Sequence, residues 1–251
     1  LNKGISMFRY FITQANFVFP RGTVTVQFTA GAFKNMDEKM EDGTTVTGGI
    51  LANKLGLSWD TKEGTKKANY LGSITQASTV KLGVDSRTNE DIFVPMSRVL
   101  PLVHPNDMAV SGWDISAMPM GDAMKRACVL DVDLQRQLYP LLQEIGAPLP
   151  SVYAPTWIAA NQDDRADNLI PEKTKFEQVE RLRADMRAFQ ARTGVDKVIV
   201  LWSANTERFS DVRAGLNLTA DELLASNRRD DAEVAPSQLF AVASILEGHT
   251  Y

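Results

Sequence analysis

The stretch VDKVIVLWSANTERF at 195–209 decides the fold, because a run of strongly apolar residues breaks off into small, hydrogen-bonding side chains. Val198, Ile199, Val200 and Leu201 are too uniformly apolar for a strand with one face in water. They predict a parallel strand covered by helices on both faces. Ser203, Asn205 and Thr206 then fall at its carboxyl end. In open α/β sheets ligands bind along that edge, where loops and helix N-termini present N–H groups and short polar side chains. A strand running into a plain polar loop satisfies the same residues, so the stretch by itself leaves the ligand open.

Upstream, Thr174 and Glu177 stand at capping-box spacing and open a helix predicted over 174–192, with Gly194 ending it. Phe176, Val179, Leu182, Met186 and Phe189 recur at intervals of three and four, a stripe suited to packing on a sheet. With the strand at 197–202 this makes an αβ unit. An earlier unit reads as a strand at 107–112 followed by helices at 121–130 and 133–142. Downstream, Thr219 and Glu222 repeat the capping-box spacing, and Pro236 suits the first turn of a last helix running to about Glu247. Alternating helices and short apolar strands predict an α/β fold with a mainly parallel sheet. No internal repeat or low-complexity linker interrupts the pattern. Residues 23–28 alternate like a strand, and the charged segment 34–42 reads as a surface loop.

The chain has 251 residues, of which 44% are hydrophobic, enough for one large domain or one domain plus a fragment. Its formal net charge of -4 arises from 27 basic and 31 acidic residues interleaved along the sequence, so no basic face for nucleic acid is expected. Cys128 is the sole cysteine, which excludes an intrachain disulfide or a cysteine-rich zinc site and fits a reducing compartment. It is expected to pack in a helix core. No apolar run approaches the roughly 20 residues that span a bilayer, and 7–19 lacks a continuous signal-peptide core. No membrane contact and a cytoplasmic location are therefore expected.

Three further clusters bear on chemistry. Gly43 and the following TTVTGG precede Ile50, as in a glycine-containing turn that opens a helix and holds a phosphate on free N–H groups. A plain loop and helix fits equally, since no G-x-G-x-x-G follows a strand and Glu41 and Asp42 bring negative charge. Asp114 follows an apolar strand and a Gly-Trp pair, where a carboxylate accepts from ribose hydroxyls or caps a helix over Ser116. In NQDDRADN at 161–168, Arg165 is placed to pair with a diphosphate or to bridge its neighbouring carboxylates. The two histidines, His104 in a Val-His-Pro loop and His249 near residue 251, give a catalytic triad or metal site almost nothing to build on.

GTTVTGGILANKLGLSW at 43–59, ANYLGSITQAST at 68–79, GWDIS at 112–116, WIAANQDDRADNLIP at 157–171 and VDKVIVLWSANTERF together resemble the myo-inositol-1-phosphate synthase family. The resemblance runs almost continuously over 43–251. It implies a Rossmann-type NAD-binding domain in an enzyme that converts glucose 6-phosphate to inositol phosphate and is a tetramer at full length. In that family NAD oxidises the sugar at C5, the opened ketone cyclises by an aldol step, and the NADH formed reduces the product, a net isomerisation. By the family's pattern Asp114 binds the adenosine ribose, Ser151, Val152, Gln162 and Arg165 line the cofactor, and Ser203, Ala204, Asn205 and Thr206 hold it. Position 203 is commonly threonine in the family, and serine keeps the hydroxyl.

Two departures limit that implication. The family carries a glycine- and asparagine-rich phosphate loop ending in the glycine that matches Gly43, whereas here Asp37, Glu38, Lys39, Met40, Glu41 and Asp42 precede it. Longer acidic side chains in place of small residues remove N–H contacts and add repulsion, weakening NAD binding by roughly a hundredfold. The sequence also stops at Tyr251, before the family's catalytic and tetramerisation half, so the lysines that stabilise the enolate and phosphate have no counterpart. None of Lys54, Lys62, Lys66, Lys67 or Lys81 takes that role by spacing. The expected organisation is a segment 1–42 unlike the family and an incomplete NAD-binding domain 43–251, with no catalytic or metal-binding residue. Such a chain reads as a partial gene model, an alternative exon product or a cut fragment. The alternatives are a non-catalytic product that binds nucleotide weakly or docks onto intact subunits, and a self-sufficient dehydrogenase of similar fold. The last lacks a visible acid/base histidine or substrate domain.

Overall fold

The computed structural model describes residues 24–28, 38–39, 45–46, 50–69, 78–100, 107–128, 130–158, 162–204 and 206–251. Their elements begin with β1 (Val24–Phe28), β2 (Glu38–Lys39), β3 (Thr45–Val46), α1 (Ile50–Leu55), β4 (Ser58–Thr61) and β5 (Gly64–Lys67). There follow β6 (Thr79–Val84), β7 (Asp91–Pro95), α2 (Met96–Val99), β8 (Ala109–Asp114), α3 (Met120–Ala127), α4 (Val132–Ile145) and β9 (Leu149–Pro150). The chain continues through α5 (Lys175–Thr193), β10 (Lys197–Leu201), α6 (Ala220–Arg228) and α7 (Pro236–Leu246). These elements form two compact units.

One unit is built on a four-stranded sheet in the order β10-β1-β8-β9, with every pair parallel. Val24 lies opposite Lys197 and Phe28 opposite Leu201, while Phe28 also faces Gly112 on the other side. The strand beginning at 24 thus sits between β10 and β8. Val198, Ile199 and Val200 are all buried, and since successive side chains point to opposite faces, both faces of β10 are covered. Val198 and Val200 join the core with Val179, Leu182, Met186 and Phe189 of α5 and with Leu239, Phe240 and Ala243 of α7. The anticipated stripe on α5 is therefore a packing face, except for Phe176, which lies in the first turn and is exposed.

The helix ends follow local chemistry. Thr174 accepts from Glu177 N and Glu177 reaches back to Thr174 N, closing the capping box, and Gly194 ends α5 in the left-handed region at φ 68. Thr219 and Glu222 do the same for α6, and Pro236 occupies the first turn of α7. The strand expected at 107–112 runs instead over Ala109–Asp114, because Trp113 and Asp114 pair with Leu149 and Pro150 of β9.

The second unit holds three antiparallel pairs, β2–β3, β4–β5 and β6–β7, with α1 to α4. The segment read as a surface loop thus contributes the two residues of β2. Its core gathers Ala52, Trp59, Met124, Leu134, Leu138 and Leu142. Trp59 Nε1 donates to Asp131 Oδ2 at 2.8 Å, and Lys66 pairs with the same oxygen at 3.2 Å, so the β4–β5 hairpin is held at the start of α4. Cys128 does not pack in a helix core. It is exposed and stops α3 in the left-handed region at φ 50, with its Sγ directed at Lys125 O. Among the described residues no helix is long and apolar enough to cross a membrane, and no group of three His, Cys, Asp or Glu side chains is placed to hold a metal ion.

The Thr174 N–H, followed by its hydroxyl, holds the Glu177 carboxyl below its ordinary value of 4.5. A carboxylate depressed in the fold contributes stability above its unfolded value, and that contribution is lost as pH falls through the folded one. Thr174→Ala is expected to cost about 1 kcal/mol and to lower the thermal midpoint by about 2–4 °C. In calorimetric scans the deficit of Glu177→Ala should shrink as the pH is taken below 4.5.

Candidate functional site

Because all four strands of the first sheet run the same way, their carboxyl ends share one edge. Asp114 closes β8, Ser151 and Val152 follow β9, and Ser203 comes two residues after β10. Aromatic packing fixes two of these ends. Phe240 on α7 meets the Trp113 ring edge-on at 5.2 Å and the Trp202 ring at 5.3 Å, and Trp113 Nε1 donates to Asp185 Oδ2 at 2.9 Å.

Asp114 Oδ1 accepts from Ser116 N at 2.9 Å, a side-chain turn two residues long rather than a helix cap. The next helix, α3, begins only at Met120, after Pro119. Arg165 reaches the same carboxylate oxygen with Nη2 at 3.9 Å, and its Nη1 donates to Gln162 Oε1 at 3.3 Å. Among the described ion pairs it makes none with Asp163, Asp164 or Asp167. Its Nε is buried without a hydrogen-bond partner. The rest of the guanidinium is partly exposed, and a cation so placed suits an anionic oxygen arriving there.

Asn168 ties the strand ends together. Its Nδ2 donates to Asp114 O at 2.9 Å and to Pro148 O at 3.1 Å, its backbone oxygen accepts from Ser151 N at 3.0 Å, and its N–H donates to Ile115 O at 2.8 Å. Ser151 is buried, and Val152 belongs to the core, so at the edge it has backbone to offer rather than side chain. Tyr153 accepts from Gln162 N at 3.1 Å and donates to Asp163 Oδ1 at 2.8 Å. Burial, then that carboxylate, hold its phenol above the ordinary value of 10.0. The sequence offered no signal for Tyr153, and Asn168 was visible only as one member of a polar run. At the end of β10, Ser203 is buried, Ala204 half-buried and Thr206 exposed. Gly43 and Asn205 lie outside the described residues.

A parallel sheet with helices on it, a carboxylate at the end of one strand and hydroxyls after two others, define a Rossmann-type dinucleotide-binding protein. An NAD-binding family model described as Myo-inositol-1-phosphate synthase matches residues 40–251. The chain is 55% identical over 207 residues to inositol-3-phosphate synthase 1 of Homo sapiens, covering 82% of this chain and 36% of that one. To inositol-3-phosphate synthase 1 of Oryza sativa subsp. japonica it is 52% identical over 207 residues, covering 82% and 40%. The crystal structure of inositol-3-phosphate synthase from Caenorhabditis elegans matches with a TM-score of 0.81 and 46% identity, over 92% of this chain and 44% of that one. The chain belongs to the myo-inositol-1-phosphate synthase family and corresponds to its NAD-binding region. It spans 36% of the human relative's length and 40% of the rice relative's.

Asn168→Ala strips donors from two strand-end carbonyls at once and is expected to cost about 1–3 kcal/mol. Urea unfolding should show a lower midpoint with an unchanged slope.

Proposed function

We propose that this chain supplies the NAD site of an inositol-3-phosphate synthase, which isomerises D-glucose 6-phosphate to 1D-myo-inositol 3-phosphate for inositol and phospholipid synthesis. The observation that carries the reading is the pairing of Asp114 with Arg165 at the carboxyl edge of a parallel sheet, in a chain of that family. Held there, NAD would supply reversible hydride transfer to and from the sugar, consistent with a net isomerisation. Asp114 accepts from the adenosine ribose hydroxyls. Arg165, through its partly exposed guanidinium, and Gln162 hold the diphosphate side. Ser151 and Val152 contribute backbone, and Ser203 to Thr206, with Ala204 and Asn205 between, close the site from β10. Gly43 enters this reading only by its sequence match to the residue that ends the family's phosphate loop.

In this reading residues 43–251 form an incomplete NAD-binding domain preceded by a distinct segment 1–42, whose strand at 24–28 completes the sheet. The cyclisation requires cations or proton donors aimed at a developing oxyanion, and no residue of this chain is assigned that task. Tetramerisation and a cytoplasmic location belong to the same reading of the whole enzyme. Asp37, Glu38, Glu41 and Asp42 favour a second reading, a non-catalytic product that binds nucleotide weakly or docks onto intact subunits. Negative charge and lost small residues oppose a pyrophosphate in either case.

Isothermal titration with NAD should give an affinity roughly a hundredfold below that of a full-length relative, falling at least tenfold further in Asp114→Ala. Absence of any binding would remove the cofactor reading, and an affinity equal to the relative's would remove the argument from the acidic segment. Glucose 6-phosphate should yield no inositol phosphate with this chain alone. Robust turnover would show that the catalytic groups lie within it.

A further inference from the structure

The chain leaving β10 is fastened immediately after the strand-end residues. Glu207 forms an antiparallel bridge with Ile158, the residue that follows the 3-10 turn Pro155–Trp157. Its carboxylate accepts from Ser237 N at 3.0 Å and from Ser237 Oγ at 2.5 Å. Ser237 is the second residue of α7, a helix whose N-cap is Ala235 and has no side-chain oxygen of its own. The orphan N–H groups of that helix start are accounted for. Pro236 has none, Ser237 gives its own to Glu207, and Gln238 and Leu239 donate to Ala235 O. Glu207 therefore caps α7 from thirty positions away in the sequence.

Arg208 makes the second half of the fastening. Its N–H donates to Trp157 O at 2.7 Å, its guanidinium lies 3.7 Å from the centre of the Trp157 ring, and it grips Glu233 through Nη1 at 3.1 Å and Nη2 at 2.7 Å. Trp157 is itself buried. Two consecutive residues thus connect the exit of β10 to the segment leading into Gln162 and to the start of α7. That helix carries Phe240, which packs on Trp113 beside Asp114.

We propose that Glu207 is a positioning residue that locks the exit of β10 to the segment entering Gln162 and Arg165, holding both sides of the strand-end edge in one arrangement. Burial, opposed by the two Ser237 donors, holds its carboxyl above the ordinary value of 4.5. A carboxylate kept out of water in this way is one the fold has committed to a fixed contact. Its consequence for cofactor binding rests on the NAD reading, whereas the lock itself does not.

Amide hydrogen exchange on the unliganded chain, paired with NAD titration, tests the proposal. In Glu207→Ala the Ser237 and Arg208 amides should exchange at least tenfold faster while the middle of α5 is unchanged. Glu207→Gln, which keeps an acceptor for Ser237 N–H, should restore protection and NAD affinity together. Ser237→Ala, a milder variant that keeps the backbone bond, should show a smaller rise at the same amides even if Glu207→Ala does not fold. Arg183→Ala, which removes a contact to Glu247 at the far end of α7, serves as the stability control. Unchanged exchange at Arg208 in Glu207→Ala, or in Ser237→Ala where only that variant folds, overturns the proposal. So does an equal loss of NAD affinity in Arg183→Ala at matched thermal stability. If the unaltered chain binds no NAD while the exchange pattern is as expected, the lock stands and the cofactor reading fails.

Discussion

Strand β1 shares backbone hydrogen bonds with β10 on one side and β8 on the other, and through it the strands that end near Asp114 and Ser203 belong to one sheet. Without that strand the two neighbours have no ladder in common. A ladder asks little of sequence beyond backbone N–H and C=O groups that no proline removes and a pattern of period two, which β-branched residues suit. The stretch TVTVQF meets those terms although it lies ahead of the residues that the family model matches. A phosphate loop is far more demanding, because backbone reaches a pyrophosphate only past small side chains. Adjacent segments can therefore preserve the sheet and alter what its edge binds.

The core carries the position of that edge outward from α5 and α7. Val198 and Val200 seat β10 against both helices, and Phe240 continues the contact to the Trp113 and Trp202 rings beside Asp114 and Ser203. Buried aromatic contacts of this kind are costly to disturb, with Phe or Trp to Ala changes in a core typically costing about 3–5 kcal/mol. The polar groups at the edge are then free to be chosen for chemistry, since their placement depends on apolar neighbours.

What was legible in the sequence was local. Capping boxes at Thr174 and Thr219 join residues three apart, and the α5 stripe needs only helical periodicity, so both were readable without tertiary knowledge. The apolar run of β10 and the polar residues after it were readable for the same reason. Asp114 was recognisable as a strand-end carboxylate, but its turn over Ser116 was not separable from a helix cap until α3 was seen to begin after Pro119. The bonds of Asn168 to Asp114 and of Glu207 to Ser237 cross 54 and 30 positions, distances at which spacing carries no signal. Cys128 was misjudged because helix periodicity does not announce a left-handed stop at a non-glycine residue.

Charge differs sharply between the two stretches of sequence assigned to the proposed site. On the β8 side a partly exposed guanidinium lies 3.9 Å from Asp114, whose carboxylate is held by the Ser116 N–H. Before Gly43, by contrast, four acidic residues stand within six positions, with Lys39 the one basic residue among them. An anionic group gains near an exposed guanidinium and loses near clustered carboxylates, and because exposed charges are screened beyond about 10 Å, an acidic stretch at a phosphate loop bears on the diphosphate more than on the rest of a dinucleotide. In the proposed site the ribose end of a dinucleotide would meet mainly Asp114 and its hydrogen bonds. The affinity this chain retains is therefore expected to come from the nucleoside, with the pyrophosphate as the part its sequence has made costly.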